Sequence, residues 1–83
     1  MSGFSVFKER LELRLRKYPE LRVLWTGQAA VITKNNMLLP KLIVNPAPRP
    51  CSVLVAVDDR GSTKMEWLEL EASLKALSGE KNA

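Results

Sequence analysis

An α+β domain is what this sequence predicts: an N-terminal helix, a three- to four-stranded, mainly antiparallel sheet, and a C-terminal helix packed on that sheet. Three observations predict it. Apolar residues up to Tyr18 recur at helical spacing, the middle of the chain is a series of short β-branched runs cut by Gly, Asn and Pro, and helical spacing returns after Gly61. The chain of 83 residues holds one domain, 1–83, with 79–83 as a fraying tail.

In the first segment Phe4, Phe7, Leu11, Leu15 and Tyr18 fall on one face of a helix over 4–18, with Ser2 or Ser5 as its cap. Glu12 and Arg16 add a favourable pair one turn apart, and Pro19 stops the helix. The run Arg10 to Arg16 also alternates as a strand would, but the helix accounts for more residues and for both Phe side chains.

Leu21 to Trp25 reads as a strand, Thr26-Gly27 as a turn, and Gln28 to Thr33 as a second strand. Asn35-Asn36 suits a left-handed turn. Met37 to Val44 is a third apolar segment broken by Pro40, so Leu42 to Val44 is its ordered part. Asn45-Pro46-Ala47-Pro48-Arg49-Pro50 reads as a stiff, extended connection of ordinary length.

Ser52 to Val57 is the longest uncharged β-branched run, and it reads as a central strand buried on both faces. After the turn residues Asp58 to Gly61, Thr63 and Glu66 have capping-box spacing and predict a helix to Ser78, with Gly79 beyond its end. In the alternative, Ser62 to Trp67 first returns as a hairpin strand and the helix is shorter.

Little in the composition points to chemistry. There is no His, and Cys51 is the only cysteine, so a disulfide within the chain is excluded and a tetrahedral structural zinc site nearly so. A Cys at the head of an apolar strand reads as a small hydrophobe. Asp58 and Asp59 could approach a divalent cation, but a carboxylate-rich turn before a helix reads first as turn chemistry. Four scattered glycines form no phosphate-binding loop. The expectation is a protein that is not an enzyme, with no cofactor, no metal and no small-molecule substrate.

No apolar run is long enough to span a membrane. The opening residues lack a basic stretch followed by an apolar one, and one unpaired Cys suits a reducing compartment; both point to the cytoplasm.

Two surfaces compete for a partner. The second helix carries a wide apolar stripe, Trp67, Leu70, Leu74 and Leu77, and nearly opposite it a second one, Met65, Leu68, Ala72 and Ala76. The first helix has a fainter counterpart in Val6 and Leu13. A domain of this size buries only about 60–65% of its unfolded surface and has little room to enclose both stripes. The reading is therefore a regulatory or accessory factor that binds another protein, or itself as a homodimer, through Met65, Leu68, Ala72 and Leu13.

The alternative is nucleic acid. The chain is basic, with a net charge of +4. Residues 1–50 hold nine Lys/Arg against three Asp/Glu, and residues 51–83 hold four against six. Arg10, Arg14 and Lys17 form a stripe on the first helix that Arg22 could extend toward a phosphate backbone. Pro40 excludes a helix-turn-helix across the middle of the chain, and Glu66, Glu69 and Glu71 make the second helix repel phosphate.

Overall fold

Alternation sets the sheet and its one covered face. The structure, a computed structural model, describes residues 3–35, 37, 40–48, 52–58 and 60–79. Helix α1 (Gly3–Leu15) is followed by strands β1 (Leu21–Thr26), β2 (Ala29–Lys34), β3 (Lys41–Pro46), β4 (Ser52–Val57) and β5 (Thr63–Glu66), and then by helix α2 (Trp67–Ser78). The five strands form an antiparallel meander in the order β1-β2-β3-β4-β5.

Registers Val23↔Ile32, Ile32↔Leu42, Leu42↔Val57, Val44↔Val55 and Val53↔Met65 carry one set of side chains across the whole sheet. Both helices lie on that side. Phe7, Leu11, Tyr18, Ile32, Val44, Val53, Val55, Trp67, Leu70 and Leu74 belong to one buried cluster. Rings tie the helices to the sheet and to each other: Phe7 meets Trp25 edge-on at 6.1 Å and Trp67 at 5.9 Å between centroids.

The α+β class and the two flanking helices agree with the sequence reading, but the sheet has five strands rather than three or four. The extra one is β5. Thr63 and Met65 pair with Val55 and Val53, so the segment after Gly61 is extended and forms the hairpin strand of the alternative reading. The Thr63–Glu66 capping box is thereby replaced by one three residues later. Glu66 is the cap, its side chain accepts from the Glu69 N–H, and its own N–H donates to Glu69 Oε1 at 3.3 Å. Gly79 closes α2 in the left-handed conformation, φ 74°, as expected.

Ser52–Val57 keeps its predicted bounds but is the fourth strand; β3 lies at the centre. Its last residue, Val57, is 39% exposed. Helix α1 ends at Leu15, before Tyr18, which is buried beyond the helix; Ser5 lies inside α1 and is not its cap. Pro40 precedes β3 rather than breaking it, and Asn45 and Pro46 belong to the strand rather than to a linker.

Gly27, φ 61°, opens the two-residue turn between Thr26 and Ala29, the pattern of a type II′ hairpin. Ser2, Asn36, Leu38, Leu39, Arg49, Pro50, Cys51, Asp59 and the tail 80–83 lie outside the described residues.

Candidate protein-binding surface of the helix layer

Each helix has an inner face set by its apolar spacing, so the side chains opposite that face meet solvent. On α2 the inner residues Trp67, Leu70 and Leu74 are buried. Leu68, one residue after Trp67, points the other way and is 78% exposed. Ala72 and Ala76 are exposed on the same outer side. On α1, Leu13 is 50% exposed and Val6 is also exposed.

A seam of charge joins the helices. Arg14 Nε lies 3.4 Å from Glu71 Oε1, and Lys17 Nζ lies 3.4 Å from Glu71 Oε2. At that distance the Arg14 contact is an ion pair more than a hydrogen bond. The Arg14 guanidinium also stacks over the Trp67 ring, 4.7 Å from its centroid. Lys17 lies two residues beyond the end of α1, and Leu68 lies one turn before Glu71 on α2.

Leu68 and Ala72 are thus exposed on the outer side of α2, and Leu13 is exposed on α1. Met65 does not join them. It lies in extended β5 opposite Val53, so it faces the sheet's covered side and packs against the core, where the Ser73 hydroxyl lies 4.0 Å from its sulfur.

The proposed basic stripe separates. Arg14 is one-quarter exposed and clasps α2, and Lys17 shares Glu71 with it. Arg22 alternates with the inward residues Leu21 and Val23, so it belongs to the opposite face of the sheet. Arg10 is exposed on α1.

Asp58 is a turn residue in this structure. It adopts φ 53°, and its Oδ1 accepts the Lys41 N–H at 2.8 Å, closing the ends of β3 and β4. Among the described residues no three His, Cys, Asp or Glu side chains converge as a metal site would require, and no helix is long and apolar enough to cross a membrane.

A cleft of about 620 Å³ opens at the end of the sheet where α1 begins, lined by Phe4, Phe7, Trp67, Pro46, Ser52 and Arg10 among others. Sequence reading passes over it because its walls come from four separate elements, none with a motif of its own. No family model, no curated protein and no solved structure matches this chain.

Proposed function

We propose that this chain is a small binding protein that acts by contact with another protein, and not by catalysis, through the outer surface of its helix layer. The observation that carries the reading is Leu68: a leucine 78% exposed in the first turn of a helix whose opposite side is fully buried. Ala72, one turn further along the same helix, and Leu13 on α1 are also exposed. A protruding aliphatic side chain on a rigid helix suits insertion into an apolar pocket of the partner, with the charged seam at Glu71 as a polar rim. The nucleic-acid alternative is weakened, because Glu71 pairs with both Arg14 and Lys17 and offsets one of their two charges, and Arg22 faces away from them.

The test is capture of partners from native lysate with wild type and Leu68→Glu, after nuclease treatment, with duplex binding measured at two salt concentrations. Leu68→Glu should leave the melting midpoint unchanged, since the site is exposed, and abolish capture, since a carboxylate buried unpaired in an apolar interface is costly. An identical captured set with both proteins, or tight duplex binding by the wild type that falls steeply with salt, would overturn the reading.

A further inference from the structure

Leu68 is not among the walls of the cleft at the end of the sheet. That space is walled by Phe4 and Phe7 of α1, Pro46 at the end of β3, Pro48 just beyond it, Leu54 of β4 and Trp67 of α2. The core fixes its floor. Phe7 and Trp67 are 4% and 7% exposed, and their ring centroids lie 5.9 Å apart. Phe4 is half-buried, tilted against Phe7 at 6.2 Å and edge-on to Trp25 at 5.8 Å. Rings that hold one another in this way keep their places whether or not the cleft is filled, so the space is preformed. Its volume of about 620 Å³ falls among small-molecule sites, which span roughly 300–1,000 Å³ and are mainly apolar with a few placed polar groups.

The polar groups here have a definite sign. Arg10, Gln28 and Ser52 supply them, and among the described residues Arg10 is the only charged side chain of the lining. Arg10 is exposed while Phe7 and Trp67 are buried, so the charge lies at the mouth and the rings at the floor. Nothing acidic intrudes: the first turn of α1 holds no Asp or Glu, and the Glu66 side chain, next to Trp67 in sequence, is engaged in capping α2.

We infer that the cleft binds a small amphipathic anion, with a flat aromatic body seated against the rings and a carboxylate held at the mouth by Arg10. Each part of the ligand follows from a part of the wall. Phe4, Phe7 and Trp67 offer ring faces and edges to an aromatic body. A guanidinium takes a carboxylate through two parallel hydrogen bonds. A cationic ligand would meet Arg10 at the entrance with no acidic side chain in the lining to offset it. The end of a protein chain fits less well, because the chain behind its last residue must leave through the same mouth that the carboxylate occupies.

Titration of the isotope-labelled protein with naphthaleneacetate, followed by amide and indole NMR spectra, tests this. Naphthaleneacetate should bind saturably and shift the Trp67 indole together with the amides of Phe4, Phe7 and Leu54. Neutral naphthaleneethanol should move the same signals but bind about tenfold more weakly, the worth of a hydrogen-bonded charge. Naphthaleneethylamine, a cation, should bind more weakly still. Arg10→Gln, at an exposed helical position, should leave the melting midpoint and the affinity for naphthaleneethanol unchanged and bring naphthaleneacetate down to the same affinity. Ala47 also lines the cleft and is half-buried beyond β3. Ala47→Trp should fill the space and abolish binding of both compounds. An unmoved Trp67 indole at millimolar naphthaleneacetate overturns the inference. So does a preference for the anion that survives Arg10→Gln, or binding that survives Ala47→Trp. A tripeptide ending in phenylalanine that binds more tightly than naphthaleneacetate overturns it in favour of a chain end.

Discussion

Leu74 has no exposed surface and sits where α2 meets the sheet. Leu74→Ala should therefore lower stability by about 2–5 kcal/mol, the range for large-to-small changes in a packed core. Urea denaturation reads this directly, and a negligible shift of the midpoint would place α2 wrongly. At Asp58 two demands coincide: a left-handed backbone and an acceptor for the partly buried Lys41 N–H. Asp58→Asn meets both and should change stability by less than about 0.5 kcal/mol. Asp58→Ala meets neither and should cost about 1–2 kcal/mol. Equal losses for the two variants would mean that the charge, not the turn geometry, matters at this position. The burial of Trp67, Leu70 and Leu74 was legible from their spacing alone. The exposure of Val57 was not, because an apolar run carries no mark of where the neighbouring layer ends.

The helices are joined by Phe7 and Arg14 on α1, by Lys17 just beyond it, and by Trp67 and Glu71 on α2. Arg14 contributes both an ion pair to Glu71 and a face-on contact with Trp67. Glu71→Gln should cost less than about 1 kcal/mol, and the loss should shrink in high salt, as it does for partly exposed pairs. Arg14→Ala removes the ring contact and the packed stem as well, and should cost about 1–2 kcal/mol with weaker salt dependence. Urea midpoints at two ionic strengths check the order; equal losses would leave the ring contact without energetic weight. These contacts explain why the basic stripe misleads as a sequence signal: spacing within one helix says nothing of a carboxylate 54 positions away. β5 is a related case. Thr63 to Glu66 satisfies both a helix-start pattern and a strand pattern, and the choice falls to Val53 and Val55, whose free strand edge it pairs. The alternation from Arg10 to Arg16 is the converse, with the helix prevailing because Phe7 and Leu11 then reach the core together.

At the level of the whole molecule, the sheet has one face beneath two helices and an opposite face on which Leu24 is exposed while Ser52 and Ala56 are buried. The class of fold was legible because alternation and helical spacing are local properties. The separation of Met65 from Leu68 was not, because it depends on which side of a strand the helices occupy. The cleft was equally hidden: Phe4, Pro46, Leu54 and Trp67 are spread over much of the chain and line one space only once it is folded. The meander also bears on how the chain acquires its structure. Each strand pairs with the next one made, so successive hairpins can close in microseconds as the chain lengthens. Helix α1 is in the opposite position. Trp25 is soon at hand, but Trp67 and Glu71 arrive only after all five strands. Helix α1 precedes the sheet in the chain yet is fully secured only after it, and until α2 arrives one flank of α1 stays unsealed.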